Sequence, residues 1–398
     1  MIRTLNSILF FVFIICISSC SDLGKTEQTE ANDSMGNQKY KFVIYDSIDL
    51  TEVKKFKVTD YNEHLKSFIG LFDKDIIGFS KHGTQFRIAK YGEGPEDYTY
   101  RRPYHSNVKY LDDSTVMINS YNYLKYYSIE GEFIDKAKVD DEVFYLDRKI
   151  LAYNSDNNCL IFDGDNSKVI DLEIDLEKMK LPYDGCHFFL LNKKDLSSNS
   201  YAPIEKDNRI MKENRSFWGY DPKVAYNKAT NEVAILHSAD HKLYVYNVNR
   251  PKEYKTIELT PDNYPEVLLY QDYKATPEEQ KAERIKDILS SHYKKLYYSQ
   301  DTIITVYRPG VEKSIVDKYG ESLFDYKEFS LFALDNYKNI IEYYIKGEKV
   351  SHDIKIPDSY EVTYIANSKN IICENKNQEL VKNGKAIQRL YIGGLERE

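Results

Sequence analysis

Residues 223–259 read KVAYNKATNEVAILHSADHKLYVYNVNRPKEYKTIEL. Within them, KVAYN, EVAILHS, KLYVYNV and YKTIEL are short runs of alternating or continuous apolar residues, separated by Asn, Asp, Lys and Pro. Val, Ile and Tyr suit a pleated, half-buried surface, and the intervening residues suit tight turns. Four strands in under forty residues form an antiparallel meander of the size of one β-propeller blade.

The same grammar recurs along the chain. It is clear at 105–139 (SNVKYL, STVMINS, YLKYYSI, an Glu-Gly turn, EFIDKAKV) and looser at 65–89, 143–172 and 185–213. It returns at 294–345 (KKLYYS, TIITVYR, EFSLFAL, NIIEYYI) and at 360–392 (YEVTYIA, NIICEN, AIQRLYI). The last unit has three strands, and an unassigned strand, YKFVIYD, sits at 40–46 ahead of the first. Joining the two would close a ring of about seven blades, or six if 185–213 is an elaborated loop. No linker rich in Pro, Gly or Ser divides the chain, so 40–395 reads as one all-β domain. Tyrosine is its dominant ring, with 36 Tyr against 18 Phe and a single Trp.

One helix is expected to interrupt the strands. Thr276-Pro277-Glu278-Glu279 has the form of a capping box, and Ala282, Ile285, Leu289, His292 and Leu296 recur at helical spacing, predicting an amphipathic helix over 276–296.

The amino terminus predicts where the chain works. Arg3, an apolar run from Ile8 to Ile17, then Ser18-Ser19-Cys20 make a secretory signal too short to span a bilayer. Its end resembles the bacterial lipobox, in which the cysteine is acylated, so Cys20 is the expected lipid attachment and 1–19 the leader. Residues 20–39 are polar and read as a flexible tether. These features place the domain in the cell envelope, as an outer-membrane lipoprotein facing the periplasm or the cell surface. The net charge of −8, without a long basic cluster, argues against nucleic acid as a partner. Cys159, Cys186 and Cys373 are widely spaced, with no metal or redox signature.

Candidate binding residues gather in two stretches. In Tyr91-Gly92-Glu93-Gly94-Pro95-Glu96-Asp97-Tyr98, glycine and proline fix a sharp turn that carries three acids, followed by Arg101, Arg102 and Tyr104. This is a structural turn, a partner contact or a calcium loop of unusual spacing. Phe217-Trp218-Gly219-Tyr220 enters the 223–259 unit, where Trp218 and Tyr220 either pack inward or stack on a ligand. His237 and His241 flank a turn with Asp240, which makes them a surface pair or two ligands of a zinc site. The sequence contains no nucleophile elbow, Walker loop or H-E-x-x-H motif.

Residues 87–98, RIAKYGEGPEDY, and 111–134, LDDSTVMINSYNYLKYYSIEGEFI, resemble the first blades of the β-propeller lipoproteins abundant in Bacteroidota, which are of TolB-like propeller type and unknown function. Tyr307-Arg308 is similar to a pair in a related propeller family. The resemblance covers roughly 85–136 and implies a six- or seven-bladed propeller on an exported lipoprotein, with no catalytic residues to carry over. The expected function is a non-enzymatic binding or scaffold module, without a cofactor, for a protein or glycan partner. Glu93, Glu96, Asp97, Tyr98, Arg101, Arg102, Tyr104, Trp218, Tyr220 and Arg308 are its candidate contacts. The alternative is a glycan-acting hydrolase or lyase with carboxylates or a metal at the channel mouth.

Overall fold

The structure, a computed structural model, describes residues 39–51, 56–72, 74–99, 108–120, 123–138, 150–154, 159–163, 186–192, 198–203, 205, 207–209, 222–237, 240–262, 264, 276–376, 380–382 and 385–398. Among them the strands form six antiparallel sheets, entered by the chain in succession. Sheet I holds Phe56–Asn62, Ser67–Phe72, Asp75–Ser80 and Gly83–Ile88, and sheet II Val108–Tyr110, Thr115–Ser120, Tyr123–Ser128 and Phe133–Lys138. Sheet III holds Ile150–Asn154, Cys159–Asp163, Cys186–Asn192 and Ser198–Pro203, and sheet IV Lys223–Asn227, Glu232–Leu236, Lys242–Asn247 and Arg250–Glu258. Sheet V is built from His292–Ser299, Thr302–Arg308 and Ile340–Ile345, with Glu348–Lys349 and Ile354–Lys355 both pairing on the third strand. Sheet VI runs Tyr360–Asn367, Asn370–Asn375, Lys385–Arg397 and then Tyr40–Thr51, with Leu380–Lys382 folded onto its third strand.

The first strand of each sheet touches the first strand of the next, from I through VI and back to I. This closed circuit makes the molecule a β-propeller with the first strands around its axis. The tally of seven needs correction. Segments 143–172 and 185–213 are halves of one sheet, because Cys159–Asp163 pairs directly with Cys186–Asn192. The second hairpin supplies the outer strands of sheet III and is no loop, since an open strand edge is satisfied by the next strand of the same chain.

The ring closes as the orphan strand predicts, over a longer span than 40–46. Tyr40–Thr51 pairs antiparallel with Lys385–Arg397 from Tyr40↔Arg397 to Thr51↔Ile387, with an irregularity between Ile44 and Asp46. The chain's first described strand thus becomes the outer strand of its last sheet.

The core lies between sheets as a series of layers. In sheet IV, Val233 and Ile235 pack on one face with Tyr244 and Tyr246, while Ala234, Leu236, Leu243 and Val245 meet Tyr293, Ile303 and Tyr307 of sheet V on the other. Both faces are covered, which is why EVAIL is a continuous apolar run rather than an alternation. Among the described residues, seven of the ten largest fully buried side chains are tyrosines. Their hydroxyls must find partners, and several find carboxylates: Tyr246 donates to Glu205, Tyr244 to Asp240, Tyr344 to Glu342 and Tyr307 to Asp353. Cys373 is a buried free thiol, whereas the side chains of Cys159 and Cys186 lie outside the described residues.

Among the described residues, three helices decorate sheet V. Helix α1 spans Pro277–Leu289 with the expected capping box: Thr276 accepts from the Glu279 amide and Glu279 accepts from the Thr276 amide. It ends earlier than 296, because Ser290 turns extended and His292–Ser299 pairs with Thr302–Arg308, so His292 and Leu296 are strand residues. The helical spacing of those two is outweighed by cross-strand pairing. The stretch EFSLFAL, expected as a strand, belongs to a helix. Helices α2 (Lys313–Tyr319) and α3 (Tyr326–Asn336), joined by a 3₁₀ turn at Gly320–Phe324, are inserted between the second and third strands of sheet V. Asp325 caps α3 by accepting from the Lys327 and Glu328 amides. Ile288, Val311, Val316, Leu323 and Phe332 bury each other in a satellite core under these helices. Among the described residues no helix is long and apolar enough to cross a membrane.

Candidate functional site

In an antiparallel four-stranded sheet, the first strand starts, the second ends and the fourth ends on the same side. Among the described residues, the three helices and the 89–99 segment therefore share one end of the ring, and Tyr40, which begins an outer strand, lies at the other.

At that end the GEGPED turn is a staple between sheets I and II. Tyr98 is fully buried: its hydroxyl donates toward the carbonyls of Lys74 and Ile88 and accepts from the Ile76 amide at 3.1 Å. From sheet II, Tyr127 donates to the Glu96 carbonyl at 2.7 Å, and Lys125 donates to the Asp97 carbonyl. The Asp97 carboxylate accepts from the Gly94 amide at 3.1 Å. A Cβ at Gly92 or Gly94 would stand 2.6 Å from that carboxylate, so a side chain at either position would push Asp97 off the Gly94 amide. Tyr98, a candidate surface contact, is thus an internal peg, whereas Glu93 and Glu96 are exposed and Glu96 only pairs with Lys90 at 3.4 Å. Arg101, Arg102, Tyr104, Trp218, Tyr220 and Cys20 lie outside the described residues.

His237 and His241 do not converge. The His237 imidazole is fully buried against Glu205 at 2.9 Å, while His241 packs edge-on to Tyr264 with ring centroids 4.5 Å apart. Burial pushes the His241 pKa down. Among the described residues no group of three His, Cys, Asp or Glu is placed to hold a metal ion.

A polar cluster at the helical end surrounds Arg308, the last residue of the second strand of sheet V. It stands directly opposite His292 in register. Its guanidinium donates to the Asp287 carbonyl in the last turn of α1 at 3.0 Å, lies 3.8 Å from the Asp287 carboxylate, and stacks 4.0 Å from the centre of the Tyr337 ring. His292 Nε2 is 3.0 Å from the same carboxylate. Burial alone would raise the Asp287 pKa, but the His292 hydrogen bond and the charges of Arg308 and Lys294 hold it below the usual carboxylate value. A helix C-terminus also favours cations, so α1 ends on two groups that suit its dipole.

Two residues on, Lys294 sits where the register slips between Tyr293 and Lys295, a bulge on the axial strand of sheet V. It is exposed, yet protein charges reach it from four elements: Arg308, Lys223 of sheet IV, Asp287 of α1 and Glu361 of sheet VI. Partial enclosure, followed by the charges of Arg308 and Lys223, pushes its pKa down to about 8. Opposite it in sheet VI, Glu361 and Glu374 are cross-strand partners, and burial followed by the Glu361 charge raises the Glu374 pKa. Of this group, only Arg308 is legible as a candidate in the sequence. The available signal for Lys294 is the double lysine in HYKKLYYS, which breaks an otherwise apolar strand.

Neither a family model nor a curated protein matches the sequence. Solved structures do. A member of the DUF4221 family from Bacteroides vulgatus aligns with a TM-score of 0.58 at 11 % identity, over 91 % of this chain and 99 % of that one. An exported-protein candidate from Bacteroides fragilis aligns with a TM-score of 0.49 at 10 % identity, over 90 % of this chain and 95 % of that one. A TolB-type protein from Agrobacterium tumefaciens gives 0.40 at 7 %, over 90 % and 99 %. At these identities the DUF4221 likeness speaks to fold, and it agrees with the ring of sheets: the chain is a β-propeller.

Proposed function

We propose that the chain is an exported, lipid-anchored propeller of six blades that binds a protein partner through its helical end in the cell envelope. The observation that carries this reading is the asymmetry of the ring. Among the described residues, one end bears the three helices and presents Tyr326, 85 % exposed, and Leu331, 48 % exposed, both on α3. Exposed aromatic side chains on a rigid support are what partner anchoring uses. The chain enters the ring at the opposite end, so a tether running from Cys20 to Tyr40 attaches to the face away from the helices. The helical end then points outward from the membrane, where a partner can reach it.

The test is a comparison of three full-length proteins in their native envelope: unmodified, Cys20→Ala, and Tyr326→Ser with Leu331→Ser. Cys20→Ala is expected to abolish palmitate incorporation. The α3 double variant is expected to keep its melting temperature while losing about tenfold in recovery of a near-stoichiometric partner. A double variant that retains its partner at full level overturns the assignment of the helical end.

A further inference from the structure

We propose that α3 is a self-association surface: two copies anchored in one membrane lay this helix antiparallel against each other, with Leu331 at the two-fold axis and Lys327 of each copy facing Asp335 of the other. This deepens the reading above, and rests on it, by making the protein partner a second copy of the chain.

The first observation is that α3 is apolar on more than one side. Phe332 is fully buried in the satellite core, and Phe329 packs against that core. Outside it the helix still carries Leu331, 48 % exposed, and Leu334, half-buried. Residues three apart are neighbours on one helix face, so the two leucines form a patch. A helix with apolar residues around its circumference is ordinarily covered on more than one side, and α3 leaves this patch in solvent.

The second observation is the charge beside the patch. Lys327, Leu331 and Asp335 follow one another at four-residue spacing, which sets them along one stripe of α3. All three are exposed, and neither the Lys327 ammonium nor the Asp335 carboxylate makes a hydrogen bond or ion pair among the described residues. Other charges nearby are engaged: Lys281 lies 2.7 Å from Glu321, and Lys338 lies 3.6 Å from Asp358.

The stripe therefore runs cation, leucine, anion, with Leu331 midway. A two-fold interface must be complementary to itself. Turning the stripe about Leu331 brings opposite charges together at both ends, whereas a parallel pairing would bring like charges together. In the antiparallel arrangement Glu328 falls opposite Leu334, at the rim. The contact of two helices of 11 residues is small for a complex in free solution. Anchoring both copies to one membrane raises their effective concentration and favours such a contact.

Full-length, acylated protein carrying Leu331→Cys, coexpressed with two different tags, should be oxidised mildly in its native membranes and covalent dimers read on non-reducing gels. A residue at the axis meets its own copy, so Leu331→Cys should cross-link about tenfold faster than Ile134→Cys, which is 53 % exposed on the outer strand of sheet II. The unmodified chain gives the background from native cysteines. Adding Lys327→Asp or Asp335→Lys to every Leu331→Cys copy should cut the dimer about fivefold, because both flanking contacts become repulsive. Coexpressing the Lys327→Asp chain with the Asp335→Lys chain restores attraction at both ends and should return the mixed-tag dimer to its former level. These positions are exposed, so the variants should keep the parent melting temperature.

The proposal is overturned if Leu331→Cys cross-links no faster than Ile134→Cys, if the single reversals leave the yield unchanged, or if the mixed pair is not rescued. If it fails while the envelope comparison above still recovers a different protein in near-stoichiometric amount, the helical end keeps its binding role and only self-association falls.

Discussion

The seam between sheets I and II and the mouth at sheet V lie at the same end of the ring, yet they treat polar groups in opposite ways. At the seam, the Tyr98 hydroxyl has three backbone partners, and Lys125 and Tyr127 cap carbonyls of the turn. At the mouth, Arg308 Nε is buried without a hydrogen bond, and the charges of Arg308 and Lys223 help to lower the pKa of the exposed Lys294. A densely satisfied network holds sheets in register, whereas an under-satisfied one costs stability and persists where it serves something else. Tyr98 of the conspicuous motif is thus a packing residue, whereas the inconspicuous HYKKLYYS strand holds an exposed lysine whose pKa is lowered.

The largest effect expected on this contrast is at Tyr98. Tyr98→Ala should destabilise by about 3–5 kcal/mol, through loss of a buried ring and of the staple. Tyr98→Phe keeps the ring but strands its backbone partners and should cost about 1–3 kcal/mol. Urea unfolding of both variants checks the pair. Near-equal losses would mean that the hydroxyl, rather than the ring, carries the seam.

At the mouth, Asp287→Asn should cost about 1–2 kcal/mol at neutral pH. Because the folded pKa of Asp287 lies below its unfolded value, the stabilisation it gives is complete above the unfolded pKa and is lost as pH falls through the folded one. The difference between parent and variant should therefore shrink on acidification, which melting curves from pH 7 downward can follow. A constant difference would show that shape, not charge, is at work.

The smallest effect has the opposite sign. The folded pKa of Lys294 is depressed to about 8, so in the folded state its charge is unfavourable below that pH, and stability from this residue rises as pH climbs from there toward the unfolded value near 10.4. Lys294→Met should raise the melting temperature slightly at pH 7, and the gain should fade by about pH 10.5, with solvent contact keeping it small. A loss of stability at pH 7 would place Lys294 among the structural groups and remove the contrast with the seam.

Much of the architecture is legible in one dimension. Residues 223–259 contain every strand of sheet IV, and the three-stranded end with its orphan partner announces ring closure. Sheet III is harder to read because its two hairpins are separated by residues 164–185, longer than a hairpin turn, so continuity of pairing is hidden. EFSLFAL is misread for a related reason. Apolar runs this short fit a strand or a helix face, and the deciding feature is Asp325, whose carboxylate caps α3. The candidate site is the least legible part, since Lys223, Asp287, Lys294 and Arg308 come from four elements and Glu361 from a fifth.

By itself, then, the order of residues determined what is local: strand and turn chemistry, the capping box of α1, the glycines of the GEGPED turn and the unpaired ends of the chain. These depend on neighbours within a few positions, where backbone geometry and side-chain period act directly. Only the tertiary structure decided how many sheets share those strands, that Tyr98 points inward, and that Arg308 of sheet V meets Asp287 at the end of α1. Such outcomes depend on which distant strands pair and on what charge burial brings within reach, and no local pattern encodes either.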